Sequence, residues 1–188
     1  MTRFTLAAVL AFAGGVALAA DEPGPKAGAA VPKLPALVVA EKVAEKETDL
    51  AGERKDEPTV YVFVNADHFK DSNIQFTRPA HRFVKVLDEK IGDVTGAKIV
   101  AVWIGGDGDK NKEYVPKVSK YYANTVLGVS SADGNGPKDW GLTSTSMVTV
   151  VLANKGKVVK AWALERVNET DVKPVEEALK KSTEKKGK

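Results

Sequence analysis

Five short apolar runs, each bounded by polar or glycine-bearing stretches, organise the chain from its first third onward. Residues 59–64 read Thr-Val-Tyr-Val-Phe-Val, a continuous β-prone run of the kind found in strands buried on both faces. Residues 98–104 form a second such run, and 126–129 a shorter third. Residues 147–153 and 158–164 are separated by Asn154-Lys155-Gly156-Lys157, a Gly-bearing connection that predicts a hairpin. Between these runs the period becomes helical. Residues 79–91 place Phe83, Val84, Leu87 and Ile91 on one face, with Pro79 in the first turn, where its missing N–H costs nothing. Tyr114, Val115, Val118 and Tyr121 mark a second amphipathic helix. Val172, Val175 and Leu179 mark a third, with Asp171 as its candidate cap.

The predicted order is β-α-β-α-β-β-β-α. Buried strands joined through helices imply right-handed crossovers and a central sheet with helices on both faces. The final hairpin makes that sheet mixed, so the expected class is α/β, a three-layer sandwich. Upstream the pattern is weaker. Residues 21–36, rich in Ala, Pro, Gly and Lys, read as a flexible or extended tether. Residues 38–57 are charged and ambiguous: 40–46 could be a helical turn, or equally an edge strand leading into the Ala51-Gly52 turn.

The amino terminus changes the picture of where the protein works. Arg3 supplies a short basic region, residues 4–16 are mostly apolar, and Ala17-Leu18-Ala19 offers the small residues of a cleavage site. A cleaved export signal over 1–19 is expected, with a periplasmic or extracellular destination. The apolar run is shorter than the ~20 residues a membrane-spanning helix needs, so no stable membrane anchor is expected. The domain plan is then a signal at 1–19, tether and lead-in at 20–56, one folded domain at 57–182, and a Lys-rich tail at 183–188. The chain has no cysteine. Disulfides, Cys-based zinc sites and Cys nucleophiles are excluded together. Twenty-eight Lys and Arg stand against 25 Asp and Glu, a balance that does not call for a nucleic-acid partner.

The segment from Trp140-Gly141-Leu142 through Val148-Thr149-Val150-Val151-Leu152, followed by Lys155-Gly156-Lys157-Val158-Val159, resembles redoxin and thioredoxin-like domains. The element order is similar to theirs. The resemblance runs from about residue 57 to 181 and implies the thioredoxin-like fold. Family members carry Trp-Cys-Gly-Pro-Cys-Lys at the start of the first crossover helix. Here that helix begins Phe76-Thr77-Arg78-Pro79-Ala80-His81. Aligned on the proline, Thr77 and Ala80 take the two cysteine positions. A helix N-terminus lowers a thiol pKa, and the thiolate then attacks a disulfide; a threonine hydroxyl and an alanine methyl can do neither. The family's cis-proline precedes the next strand, and here Ser146-Met147 holds that place. The resemblance therefore implies a redox-inactive member. Its degenerate site, and a possible peptide-binding groove, would comprise Phe76, Thr77, Arg78, Ala80, His81, Trp140 and Met147.

Other chemistry finds little support in the spacing. Thr77 and His81 lie at i,i+4, so a hydroxyl nucleophile with a histidine base is conceivable, but no orienting acid or oxyanion hole is indicated. His68 sits in a polar loop beside Asp67 and reads as solvated. Asp107-Gly108-Asp109-Lys110-Asn111 imitates half a calcium loop, yet Lys112 and Val118 stand where Gly and Glu are required, so it reads as a polar turn. No catalytic residue, metal site or cofactor is expected. Trp103 and Trp162 are expected in the core, and Trp140 in the core or on the rim near the degenerate site. The leading expectation is an exported, non-catalytic thioredoxin-like module that binds a peptide or another envelope protein. The alternatives are an envelope enzyme using Thr77 and His81, and a folded spacer.

Overall fold

The structure, a computed structural model, describes residues 23–69, 78–91, 96–132 and 134–184. The expected export signal, Phe76, Thr77 and most of the Lys-rich tail lie outside the described residues. Seven strands form one mixed sheet in the order β2-β1-β5-β4-β3-β6-β7. They are β1 Pro35–Val39, β2 Val43–Asp49, β3 Thr59–Asn65, β4 Lys98–Ile104, β5 Thr125–Val129, β6 Val148–Asn154 and β7 Lys157–Leu164. The helices are α1 Arg78–Ile91, α2 Gly108–Ser119 and α3 Val172–Thr183. From β3 onward the order is the one that the hydrophobic pattern predicts.

The parallel core β5-β4-β3 comes from two crossovers that step the same way, β3 through α1 to β4 and β4 through α2 to β5. Right-handed crossovers stepping in one direction put both helices on one face. The expectation of helices on both faces is corrected accordingly. Val60, Val62 and Val64 of β3 share one apolar cluster with Phe83, Val84 and Leu87 of α1, Val115 and Val118 of α2, and Val172, Val175 and Leu179 of α3. All three α-helices lie there.

The opposite face carries Tyr61, Phe63, Val100, Val102, Ile104 and Val151, and among the described residues no α-helix covers it. Its lid consists of Leu34, Leu50 and Ala51, the 3-10 turn 138–140 with Trp140, and an extended strap from residue 23. The strap was expected as a tether, but it is anchored along its length. Gly24 N donates to Gly141 O at 3.0 Å, Gly28 N to Val158 O at 2.8 Å, and Val31 N to Gly156 O at 3.0 Å; Val158 N returns a bond to Ala29 O at 2.9 Å. Small residues make this possible, because a Cβ on Gly24 would stand 2.8 Å from that of Ala161.

The ambiguity at 40–46 resolves as an edge strand: β2 pairs antiparallel with β1, which joins the parallel core at β5. The predicted hairpin is present, with a two-residue turn at Lys155 and Gly156 (φ 52° and 70°), the left-handed pair that a tight hairpin with right-handed strand twist requires. Two details differ from the sequence reading. Tyr121 lies past the end of α2 and is 49% exposed, whereas Tyr122 turns inward. Asp171 is not the hydrogen-bonding cap; Asn168 is. Its side chain accepts from Thr170 N at 2.8 Å, while Asp171 accepts from Asn168 N at 2.8 Å, a reciprocal capping box.

Candidate functional site

A strand that feeds a crossover helix places the helix N-terminus at its own carboxyl end. The start of α1 therefore lies at the carboxyl end of β3, where the sheet changes from parallel to antiparallel pairing at β6. Ligands of open α/β sheets sit outside strand carboxyl ends at such a reversal. Of the seven expected site residues, five fall within the described residues, and they separate into different roles.

Arg78 opens α1 and is exposed. Ala80, which the sequence resemblance aligns with the family's second cysteine, is 2% exposed, and its methyl belongs to the helix-side core. Met147 packs against that same cluster. Its backbone is already used: Met147 N donates to Leu164 O at 2.9 Å, and Met147 O accepts from Asn65 N at 3.0 Å. Strand-like pairing with a bound peptide cannot run through Met147.

Trp140 leaves the groove altogether. It is fully buried on the opposite face, its ring 5.1 Å from Tyr61 and 4.8 Å from Phe63, and its indole N–H donates to Lys33 O at 2.8 Å. The expectation that it lines the groove is corrected to the core reading. The physical reason is the missing helix: only a large aromatic can fill that face from a short 3-10 turn. Trp103 is core, as expected, at 3% exposure. Trp162 is half-buried, with the Lys160 ammonium 5.1 Å from its ring.

His81 is half-buried in the first turns of α1. Its ring lies edge-on to Tyr121 and Tyr122, at 5.6 and 5.2 Å, and Nδ1 is hydrogen-bonded to the Tyr122 hydroxyl. Burial pushes the Tyr122 pKa up, reinforced by Tyr114 and the Asp88 carboxylate, so the phenol keeps its proton. Burial, and then the Lys85 ammonium, pull the His81 pKa down. Nδ1 is thus engaged by Tyr122, and Thr77 lies outside the described residues. Asp88 stabilises the same junction, accepting from Ala123 N (3.0 Å), Asn124 N (2.8 Å) and the Thr125 hydroxyl (2.6 Å).

Sequence reasoning passed over a polar cluster at the ends of β3 and β6. Asn65 is 1% exposed; its Oδ1 accepts from Asp67 N at 3.0 Å, and its Nδ2 has no hydrogen-bond partner among the described residues. His68, read as solvated, donates from Nε2 to Ser144 O at 2.8 Å, joining the loop after β3 to the one before β6. Ser146 is buried, its hydroxyl 2.9 Å from that of Thr143. The only signal available in the sequence was a polar residue closing an apolar run. Asp107 proves to be a helix cap, accepting from Asp109 N and Lys110 N at 3.0 and 3.2 Å, so the calcium-like stretch is the cap and first turn of α2 and not the polar turn expected.

Solved structures share this architecture. A protein of Chlorobium tepidum assigned as a thiol:disulfide interchange protein, DsbE, superposes with a TM-score of 0.60 at 14% identity, over 84% of this chain and 98% of that one. A yeast mitochondrial 1-Cys peroxiredoxin gives 0.54 at 12% identity, over 84% and 78%. A secreted thiol-disulfide isomerase of Corynebacterium glutamicum gives 0.51 at 9% identity, over 80% and 85%. No family model and no curated protein matches the sequence. The chain has the thioredoxin-like fold. It is a redox-inactive version of it, because no cysteine is present to form a thiolate or a disulfide.

Proposed function

We propose that this chain is an exported thioredoxin-like module that binds a peptide or another envelope protein at the carboxyl end of β3. The observation that carries the reading is a thioredoxin-like sheet with its crossover helix in a chain that has no cysteine. The loop at Met147 is present, while Ala80, aligned with the family's second thiol, is a buried methyl. What survives at the surface is Arg78, the half-buried His81 ring and the edge of Met147: a cation, a polar ring and an apolar contact. Such a set binds without turning over.

Export rests on the basic-then-apolar start and the Ala17-Leu18-Ala19 step, supported by the secreted character of one structural neighbour. Among the described residues no helix is long and apolar enough to cross a membrane. The test is capture. Immobilised mature protein is exposed to the envelope extract of its source beside Arg78→Glu and Met147→Gln variants. A specific partner retained by the parent and lost by either variant supports the groove. Equal capture by all three removes the groove from the argument. Export is checked separately, by sequencing the N-terminus of the protein recovered from its source; an uncleaved chain sinks that half of the reading.

A further inference from the structure

A second cleft lies on the helix side of the same sheet end, between the 3-10 turn 66–69 and the start of α2. It has a volume of about 380 Å³, within the range of small-molecule sites, and sits outside the carboxyl ends of parallel strands β3 and β4. Phe69, Trp103 and Tyr114 form its walls, with the Trp103 and Tyr114 rings 6.5 Å apart at 58°. The turn leading into α2 is pressed against Ala66, since a Cβ on Gly106 would stand 2.9 Å from that of Ala66. The two sides of the cleft are therefore held at a fixed spacing.

Two nearly buried lining groups keep an open valence. Asn111 is 7% exposed; its Nδ2 donates to Gly105 O at 2.9 Å, which fixes the amide and leaves Oδ1 with no donor among the described residues. Trp103 is 3% exposed, and its indole N–H has no acceptor among the described residues. At the mouth stand one charge of each sign: Asp107, whose Oδ1 caps the helix, and Lys110, whose Nζ is 3.7 Å from Asp107 Oδ2. A simple cation entering here would meet Lys110, and a simple anion would meet Asp107. A pure hydrocarbon would leave both the amide oxygen and the indole N–H unpaired, which is costly once water is displaced. A molecule with a donor cation, an acceptor anion and an apolar body answers all of these groups together.

We propose that this cleft binds a free α-amino acid with an apolar or aromatic side chain, held as its zwitterion. The ammonium faces Asp107 and Asn111 Oδ1, the carboxylate faces Lys110 and the Trp103 N–H, and the side chain lies against the aromatic walls. This site is separate from the groove at Arg78 and Met147 and does not depend on it.

Calorimetry and tryptophan fluorescence of the full mature chain test it, with L-phenylalanine as probe beside phenethylamine and 3-phenylpropanoate, each lacking one charge. Saturable binding of phenylalanine is expected, with each analogue weaker by about tenfold, the worth of one charge-assisted hydrogen bond. Lys110→Gln is expected to weaken phenylalanine about tenfold while leaving phenethylamine unchanged. Asp107→Asn keeps a capping side chain and is expected to do the same while leaving 3-phenylpropanoate unchanged. An unchanged unfolding midpoint shows that both variants are folded. No saturable response to phenylalanine, equal binding of all three probes, or variants that bind phenylalanine like the parent would each overturn the proposal.

Discussion

Replacing Trp140 tests whether the helix-free face is a true second core. The side chain is fully buried, contacts Tyr61 and Phe63 ring to ring, and ties the strap through its bond to Lys33 O. Trp140→Phe keeps most of the ring contact and removes the indole donor, leaving the Lys33 carbonyl without its partner. That loss is expected to cost about 1–2 kcal/mol. Trp140→Ala removes the ring as well and leaves a cavity, expected to cost about 3–5 kcal/mol, a large part of the ~5–15 kcal/mol that holds an ordinary domain together. At roughly 2–4 °C per kcal/mol for a domain of this size, the alanine variant should melt on the order of 10 °C lower. Urea unfolding of the mature chain gives the two free energies, and their difference sizes the aromatic contact alone. Trypsin adds a local readout, since Lys26 and Lys33 lie on the strap: cleavage there should accelerate in both variants, and more in the alanine one. If Trp140→Ala costs less than about 1 kcal/mol and the strap lysines are cut no faster, Trp140 is a cover rather than a keystone, and the account of the second face fails.

Other predictions follow from individual contacts. Asp88→Ala strips three donors of their acceptor at the turn 123–125 and should cost about 2–4 kcal/mol by urea unfolding, with Asp88→Asn recovering part of it; a loss within experimental error would show the turn to be held by packing alone. His81 has a folded-state pKa below its ordinary 6.5, so the unfolded chain takes up the proton first. Its contribution to stability is present above about pH 6.5 and is lost as pH falls toward the lowered folded value. His81→Gln should flatten that slope, as read by unfolding midpoints between pH 5 and 7.5, and an unchanged slope would mean that another group titrates. Gly105→Ala should destabilise by about 1–3 kcal/mol, because φ is +64° and the new Cβ would stand 2.6 Å from Asp67 Oδ2 and 2.8 Å from Asn65 Oδ1; a neutral result would show that the loop relaxes freely.

Periodicity made the fold legible from β3 onward because β3, β4 and β6 are buried on both faces and need unbroken apolar runs. The first two strands were obscure for the opposite physical reason. β2 is an edge strand whose exposed Glu45, Lys46 and Glu47 discourage pairing with other chains, and that protection erases the hydrophobic signal. The strap was misjudged because Pro, Gly and Ala give the same composition to a loose linker and to a segment that must lie flat on a sheet. In the candidate site, local sequence located Arg78, Ala80 and His81 on α1. It could not foresee that Trp140 turns to the other face, or that Nδ1 of His81 meets Tyr122 from 41 residues away. Both are long-range contacts with no local signature. The resemblance supplied the scaffold, but the redox motif was the one part of it with a known role, and that is the part this chain lacks.

The strap and the missing helix are two sides of one solution. A thioredoxin-like sheet with a bare second face would expose Tyr61, Phe63, Val100 and Val102, an apolar surface too large to leave to water. Here the polypeptide ahead of β1 covers it, through Leu34 and the strap, while Trp140 fills the space that a helix would occupy. On the export reading this has a consequence for the mature protein. Among the described residues Gly24 is the first hydrogen-bonded into the domain, and it stands shortly after the Ala17-Leu18-Ala19 step. Cleavage a dozen residues further on would instead remove the strap and open both the apolar face and the outer edge of β7 at Val158. The position of processing therefore decides more than destination. A protein trimmed to residue 34 loses the strap's hydrogen bonds and should associate through that face in sedimentation, where the full mature chain does not.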